Sequence, residues 1–391
     1  ETYILVQDLM GRCGNSDGAI ASGNIETAEG DEGVTDVNVQ ISGPMDQTVV
    51  TQGDGFYRFE NIPVNADVSI YPVKDVGHLN GVSTFDLVLI SKHILGVQVL
   101  DSPWKILSAD ANNSESVTTF DLIQLRKVIL GIDQSFTNNT SWRFFDANQT
   151  FSNPSNPWAD ELVEIVSIND IVGAVTVDFS AIKVGDVNGS AKANEFSSLD
   201  ERSRGSFAFN VEDVNMVAGN TYNVEFTAKD IATIEGYQGT FTFGESIEMV
   251  DNTYGAAKEG NFGTTFLQEG LLTTSWNDEA SADDVLFTLV VRATAAAQLS
   301  EQLGLSSRIT PSEAYNDGGD KLDLAINFST GKVQEVAFEL YQNQPNPFQG
   351  ETVIGYNLPE ASQVTFTVSD VAGRTLKLIR TEGVKGYNNI L

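Results

Sequence analysis

Two stretches, VSTFDLVLISKHILG at residues 82–96 and VTTFDLIQLRKVILG at residues 117–131, are near-copies of each other. At an offset of 35 residues, nine of the fifteen aligned positions are identical. Each copy has apolar residues at the spacing of one helix face and ends on a glycine, Gly96 or Gly131, at the place of a helix C-cap. The duplication therefore predicts two short amphipathic helices. Their buried stripes would be Leu87, Ile90 and Ile94 in the first and Leu122, Leu125 and Ile129 in the second.

The loop before the second copy carries side-chain oxygens at alternate positions. Counted as twelve residues from Asp110, its positions 1, 3, 5, 7, 9 and 12 hold Asp110, Asn112, Ser114, Ser116, Thr118 and Asp121. With this spacing a single loop wraps oxygen ligands around Ca²⁺ and continues into a helix. Glu115 stands at position 6, where such loops have glycine; if that position needs a positive φ, the side chain costs about 1–2 kcal/mol. The sequence predicts a calcium site here.

The loop before the first copy supplies only half of such a pattern. Asp75 falls at position 1, but Gly77 and Leu79 stand where oxygen donors are needed. A D-x-N-x-S sequence occurs at residues 186–190 without a closing acidic helix. One interpretation is a split calcium site, and the other is a turn whose Asp and Asn bind their own backbone. The ligands of the split site would be Asp186, Asn188, Ser190, Ser83 and Asp86.

A duplicated loop–helix unit of this kind resembles a type I dockerin module. The resemblance implies Ca²⁺ as a structural ligand and a protein partner that is recognised at loop positions 10 and 11 and at helix positions 17 and 18. Those positions hold Thr84, Phe85, Ser91 and Lys92 in the first copy and Thr119, Phe120, Arg126 and Lys127 in the second. The alternative is that these side chains form an ordinary solvated helix face.

Net charge and rare residues exclude several classes of function. With 22 basic and 54 acidic side chains, the net charge of −32 opposes binding to nucleic acid or anionic lipid. Cys13 is the single cysteine, so neither an internal disulfide nor a thiolate metal cluster can form. Only two histidines are present, and no carboxylate pair stands out, so we expect no enzymatic activity. No apolar run approaches the roughly 20 residues of a membrane span.

In the first two hundred residues, the sequence predicts a part rich in strands, which turn sequences separate, and then a helical part. Residues 1–18 are expected to be the end of a preceding domain and a linker. Residues 19–74 include QGDGFYRFENIP and resemble a transthyretin-like or carboxypeptidase-regulatory-like β-sandwich. Residues 75–196 are expected to form the dockerin-like domain with an insertion rich in aromatic residues. That insertion could pack over the two helices, or its rings could present a platform for a sugar.

The remaining residues alternate like strands. Residues 197–205 are polar and predict a linker. Residues 206–338, with VAGNTYNVEF and GYQGTFTF, resemble the jelly-roll sandwich of cohesins, which bind dockerins. Residues 339–391, with QNQPNPF, IGYNLP and VSDVAGR, resemble an incomplete type A C-terminal sorting domain of type IX secretion in Bacteroidetes.

The sequence thus predicts a mainly β chain of tandem sandwiches with one small α-helical calcium-loop module between them. The resemblances imply a structural or adhesive protein, exported through the periplasm by type IX secretion to the extracellular space or the outer-membrane surface. Its dockerin-like part would pair with a cohesin-like domain of the same or a neighbouring chain. The alternative is a carbohydrate-binding appendage of a polysaccharide-degrading system, with glycan contacts at Trp142, Trp158 or Trp276.

Overall fold

The computed structural model describes residues 18–194, 203–336, 338–343, 346, 352–370 and 373–390. The predicted end of a preceding domain, Cys13, most of the predicted linker and part of the QNQPNPF motif lie outside these ranges. The chain folds as two compact units. We call residues 18–81, 99–118 and 136–194 the N-terminal unit; residues 82–98, 119–135 and the described residues from 203 onward are the C-terminal unit.

The fold is mainly β, as the sequence predicts. The elements of the first half are β1 (Gly18–Thr27), β2 (Asn38–Ser42), β3 (Gln47–Val50), β4 (Phe56–Pro63), β5 (Ala66–Val73), α1 (Thr84–Ile94), α2 (Pro103–Ala109), α3 (Thr119–Ile129), β6 (Trp142–Asp146), β7 (Val166–Ile171), β8 (Ala174–Thr176) and β9 (Phe179–Lys183).

The second half contains strands and single turns of 3₁₀ helix. Its strands are β10 (Ser206–Val211), β11 (Asn215–Met216), β12 (Thr221–Phe226), β13 (Ile234–Phe243), β14 (Ile247–Tyr254), β15 (Phe262–Gly263), β16 (Leu271–Trp276), β17 (Phe287–Ala293), β18 (Ala297–Gln298), β19 (Leu303–Ser306), β20 (Glu313–Asn316), β21 (Lys321–Phe328), β22 (Val333–Glu335), β23 (Glu339–Leu340), β24 (Ile354–Leu358), β25 (Ser362–Ser369), β26 (Thr375–Gly383) and β27 (Gly386–Ile390).

The N-terminal unit is a sandwich of two sheets. One has the order β4-β1-β9-β6, with β8 also on β1, and the other has the order β3-β2-β5-β7. Strand β1 alternates buried and half-buried residues, so one side of it lines the core. It runs antiparallel to β4 but parallel to β8 and β9. Gly23 is required in β1 because a Cβ there would lie 1.8 Å from the carbonyl oxygen of Val177.

The predicted boundary between residues 19–74 and 75–196 does not match this topology. Four strands from beyond the helices, β6 to β9, complete the sheets that β1 and β5 begin. Trp142 and Phe144 are 2% and 3% exposed and share one core with Tyr57 and Phe59. The aromatic insertion therefore supplies core residues of the first sandwich, because its rings complete a hydrophobic interior that residues 19–74 alone leave unfilled.

The C-terminal unit contains a larger sandwich. Its main sheet has the order β10-β21-β20-β13-β16-β15, with β19 on β13 and β22 on β21, and its second sheet has the order β12-β17-β14. Four fully buried phenylalanines join the two sheets: Phe209 and Phe241 from the first, and Phe226 and Phe287 from the second. The Phe226 and Phe287 rings stack with centroids 4.4 Å apart.

The last strands form two small sheets in the same unit. Strands β23, β24 and β27 make one sheet, and β25 with β26 forms a separate two-stranded hairpin. Phe366 of the hairpin packs edge-on against Tyr356 of β24, with ring centroids 5.1 Å apart. The strand character that the sequence predicts for residues 339–391 is present in the described part of this region.

Helices α1 and α3, the two copies of the duplicated motif, both belong to the C-terminal unit. Ser83 and Asp86 form a capping box at the start of α1. Gly96 and Gly131 follow the helices with φ of 69° and 68°, the left-handed conformation expected at a C-cap. Leu87 and Ile90 of α1 are fully buried. None of the helices in the described ranges is long and apolar enough to cross a membrane.

We predict that the first sandwich folds only with its distant strands in place. Phe179 in β9 is 1% exposed and lies opposite Ile25 of β1. Replacing it (Phe179→Ala) should cost about 3–5 kcal/mol and increase hydrogen exchange throughout β1, more than 150 residues upstream. Val172→Ala, at a position 58% exposed, is the matched control. Unchanged protection of β1 would mean that residues 19–74 fold on their own.

Candidate docking site and calcium-loop residues

The start of α1 lies against the main sheet of the larger sandwich. Thr84 is fully buried; its backbone N–H donates to Gln238 Oε1 at 2.7 Å, and its hydroxyl lies 2.7 Å from that of Ser275. Gln238 is held in turn by Glu313, since its Nε2 donates to Glu313 Oε1 at 3.1 Å. The N–H groups in the first turn of a helix lack intrahelical acceptors. Here the Thr84 N–H has its acceptor on strand β13, and this hydrogen bond fixes the start of α1 on the sheet.

A glycine permits this close approach. Gly236 lies in β13, and a Cβ built there would be 2.9 Å from Thr84 Cγ2 and 3.3 Å from Val88 Cγ2. The same Cβ would also meet the carbonyl oxygen of Trp276 at 3.0 Å. A larger residue at this point would push the first turns of α1 off the sheet.

Phe85, the next residue of α1, stacks on Tyr315 of β20 with ring centroids 5.3 Å apart. The Tyr315 hydroxyl donates to Glu313 Oε1 at 2.8 Å. Burial, with the nearby Glu313 carboxylate, holds the pKa of Tyr315 well above its ordinary value, so the phenol stays protonated and remains a donor. Gly319 leaves room for the phenylalanine ring, because a Cβ there would lie 2.9 Å from Phe85 Cζ.

The later turns of the two helices make polar contacts with the sandwich. Lys92 Nζ lies 2.5 Å from Glu235 Oε1 in a half-buried ion pair. Asn277 connects both helices, since its Nδ2 donates to Ser91 Oγ at 3.3 Å and its Oδ1 accepts from the Arg126 guanidinium. Five of the eight predicted partner-binding residues, Thr84, Phe85, Ser91, Lys92 and Arg126, thus contact the sandwich of their own chain.

The end of α3 is held through its backbone, a contact that the sequence analysis missed. The hydroxyls of Thr310 and Thr273 donate to the carbonyls of Ile129 and Leu130 at 2.6 and 2.7 Å. Carbonyls in a helix's last turn lack intrahelical donors, so these hydroxyls act as caps supplied by the sandwich. Gly131 is in close contact here as well, since a Cβ would lie 2.9 Å from Ile309 Cγ2.

The other predicted partner residues of the second copy face solvent. Thr119 and Lys127 are exposed, and the Phe120 side chain is 71% exposed. The corresponding residues of the first copy, Thr84 and Lys92, are buried and half-buried. The two copies of one motif therefore occupy different environments in the same unit.

The predicted calcium loop has its first residues in the N-terminal unit. Asp110 is fully buried, and its two carboxylate oxygens accept from the backbone N–H groups of Ser114 and Glu115 at 2.9 and 2.8 Å. Glu115 has a φ of 61°, so position 6 does adopt the left-handed conformation that favours glycine. The hydroxyls of Ser114 and Ser116 lie 3.2 Å apart. The loop is closed around the Asp110 carboxylate, with short oxygen-bearing side chains next to it.

The other residues of the predicted calcium site are also located. Asn112 and Thr118 are half-buried in the N-terminal unit. Asp121 is fully buried in the first turn of α3, in the C-terminal unit. No group of three or more His, Cys, Asp or Glu side chains converges anywhere in the described ranges. Apart from Asp110 and Asp121, the ligands that the sequence predicts are hydroxyl and amide oxygens, a ligand type that Ca²⁺ accepts.

The residues of the possible split site serve their own backbone. Within the N-terminal unit, the Asp186 carboxylate accepts from the N–H groups of Gly189, Ser190 and Ala191 at 2.9, 3.1 and 2.7 Å. Asn188 Oδ1 also accepts from the Ser190 N–H, at 3.0 Å. Burial raises the pKa of Asp186, and these backbone donors oppose that shift. This is the geometry of the simple turn, which was the second interpretation.

The two remaining candidate groups have structural partners. In the C-terminal unit, Asp86 Oδ2 accepts from the Ser83 N–H at 2.8 Å as part of the capping box. In the N-terminal unit, Asp75 Oδ1 accepts from the Ser141 N–H at 2.8 Å and lies 3.3 Å from His78 Nε2. Burial and the nearby Lys183 lower the pKa of His78 to about 4, so it is neutral at pH 7.

Comparison with known proteins yields structural likenesses only. No protein-family model and no curated protein matches the chain. One similar structure is a chain of a type I cohesin–dockerin complex from Clostridium thermocellum. It is 14% identical, the match covers 36% of this chain and 97% of the matched chain, and the TM-score is 0.26. A non-cellulosomal cohesin from Archaeoglobus fulgidus is 14% identical over 34% of this chain and 92% of its own, with a TM-score of 0.25. At TM-scores this low, the likenesses alone support no functional conclusion.

Proposed function

We propose that this protein is a secreted or surface-attached structural module in which a dockerin-like helix pair docks in cis on a cohesin-like sandwich. The contact that supports this best is Thr84, whose backbone and hydroxyl both have partners on the sheet. The role of the protein would be architectural or adhesive rather than catalytic.

The chemistry of the docking face supports a specific pairing. Polar contacts lie at both ends of the helices, from Thr84 with Ser275 to Thr310 with the Ile129 carbonyl. Each such hydrogen bond contributes about 0.5–1.5 kcal/mol net, and leaving one buried partner unsatisfied costs about 1–3 kcal/mol. A helix pair with other residues at these positions would leave buried polar groups unpaired. Such penalties give a contact its specificity.

The aromatic residues favour this function over carbohydrate binding. Trp142 and Trp276 are 2% and 0% exposed, each inside a sandwich core. Trp158 is half-buried and packs in the cluster of Leu107, Phe145 and Ile182. Stacking on a sugar needs an exposed ring face, which neither Trp142 nor Trp276 offers. We therefore propose the structural role and keep the glycan-binding appendage as the second hypothesis.

The second copy of the motif leaves room for a partner in trans. Thr119 and Lys127 are exposed on α3, and Phe120 is largely exposed, although their counterparts in α1 face the sandwich. A cohesin-like domain of a neighbouring chain could recognise this face while the cis contact stays in place. The exposed Phe120 ring would then be the central apolar contact.

Calcium and export complete the proposal. Bound Ca²⁺ would neutralise part of the acidic charge and order residues 110–118, with ligands from this loop. Residues 339–391 would direct the protein through type IX secretion to the cell surface, on the basis of their motif resemblance. Fusing these residues to a periplasmic reporter in a bacterium that has this machinery tests their role. Residues 206–338 in the same fusion are the control.

We predict that Gly236→Val releases α1 from the sheet, because its side chain would overlap Thr84 and Val88. Hydrogen exchange at residues 84–95 should rise at least about tenfold, the effect of about 1.4 kcal/mol on the opening equilibrium. Strands β12 and β17, in the other sheet, should keep their protection. Gly260→Ala is the control, since a Cβ at Gly260 meets nothing within 4 Å.

A second variant tests the same contact from the helix side. Phe85→Ala removes the stacking partner of Tyr315 without changing any residue of the sandwich. It should also increase exchange at residues 84–95. If both variants leave exchange there unchanged, the proposed cis docking is wrong.

We predict that calcium removal lowers the melting temperature, because a ligand that binds only the folded state stabilises it. At free calcium about ten times Kd the stabilisation is about 1–1.5 kcal/mol. Asp110→Ala should abolish the increase in melting temperature that calcium causes in the wild-type protein. Asp46→Ala, an exposed position with the same change in charge, should retain it. If a calcium chelator leaves the melting temperature of the wild-type protein unchanged, the calcium proposal is wrong.

A further inference from the structure

Arg143 of β6 connects the calcium loop, residues 110–118, to the first sandwich. Its Nη1 donates to Asn113 Oδ1 at 3.1 Å, and its Nε donates to Glu164 Oε1 at 2.7 Å. The guanidinium carbon also lies over the Phe145 ring, 5.1 Å from the ring centroid. Only 10% of the Arg143 side chain is exposed, and Phe145 is fully buried. Glu164 and Phe145 thus hold Arg143 in place while it contacts the loop.

A second side chain from the same part of the sequence holds the start of the loop. Asn139, three residues before β6, donates from Nδ2 to the Asp110 carbonyl oxygen at 2.9 Å. Its Oδ1 accepts from the Thr140 N–H at 2.9 Å, which fixes the orientation of the amide. The loop is therefore bound to residues 139–143 at its first and its fourth position. All of these residues belong to the N-terminal unit.

Two residues of the loop have backbone conformations that depend on such support. Asn113 and Glu115 have φ of 54° and 61°, in the left-handed region that L-residues rarely adopt. Residues keep this conformation only where surrounding contacts hold them in it. The Asp110 carboxylate binds the Glu115 N–H, and Arg143 binds the Asn113 side chain. Without these contacts, calcium itself would have to order the loop, which would lower its affinity.

We propose that Arg143 is a positioning residue of the calcium site, which holds the loop in its calcium-binding conformation through Asn113. Neither Arg143 nor Asn113 is among the ligands that the sequence predicts, so this role differs from coordination. Groups that orient the ligands of a metal typically account for about 10–100-fold in its affinity. The inference rests on the proposed binding of calcium, and it makes the first sandwich a part of the site.

The charge of Arg143 predicts the opposite effect on calcium. A cation beside the loop repels Ca²⁺, so its removal should strengthen binding if Arg143 acts through charge alone. Removal would also leave the Glu164 carboxylate without this ion pair, which adds to the attraction. The direction of the change in Kd therefore distinguishes positioning from electrostatics.

The test is isothermal titration calorimetry of the full chain with CaCl₂, following the binding that Asp110→Ala abolishes. Arg143→Ala should raise the Kd for calcium at least about tenfold. Arg143→Lys keeps the charge but not the planar fork that binds Glu164 and Asn113 together, so it should also weaken binding. Arg58→Ala is the matched control and should leave Kd unchanged, because Arg58 pairs with Glu60 at 2.7 Å in the same unit.

A second variant tests the contact from the loop side and leaves the sandwich intact. Asn113→Gly removes the acceptor of Arg143, while glycine adopts the positive φ without strain. It should raise Kd by a similar factor. Adding Arg143→Ala to Asn113→Gly should change Kd little further, since the contact between the two residues is already lost.

The possible failures can be told apart. If the wild type binds calcium and Arg143→Ala has an unchanged or lower Kd, this inference alone is overturned. The same holds for an unchanged Kd in Asn113→Gly. A lower melting temperature of calcium-free Arg143→Ala with an unchanged Kd would mean that Arg143 serves only the fold. A wild type that binds no calcium overturns the calcium proposal and this inference with it.

Discussion

The buried hydroxyl and backbone N–H of Thr84 impose the main constraint on the C-terminal unit. Both groups need partners once they leave water, and both find them on one face of the main sheet. That requirement fixes how α1 lies on the sheet, and Gly236 supplies the space it needs. Asn277 then extends the contact from α1 to α3. The docking face therefore combines satisfied polar groups with close packing at glycine.

The parts of the fold that local sequence decides were predictable. The duplicated motif gives two helices with glycine C-caps, because the 3.6-residue period and the left-handed preference are local properties. The strand character after residue 206 follows from alternation in the same way. Glu115 is also informative: its positive φ matches what the loop pattern requires of position 6. In each case a few neighbouring residues contain the signal.

Long-range assignments were harder. Residues 19–74 and 142–183 form one sandwich, but each stretch alternates like an independent set of strands, so nothing local indicates that they pair. The caps from Thr273 and Thr310 leave no side-chain pattern on α3, because they bind its backbone. The predicted partner residues came from a family resemblance, which gave their positions in both copies of the motif. Their unequal exposure in the two copies depends on tertiary packing and could not be read from near-identical motifs.

The pairing of β1 with β9 has a consequence for biosynthesis. The two strands pair at positions such as Ile25 with Phe179, 154 residues apart. At about 5–20 residues per second, translation leaves β1 without this neighbour for roughly 10–30 seconds. An unpaired strand edge is open to misassociation over that interval. A nascent chain of this kind would depend on chaperones until β9 has been made.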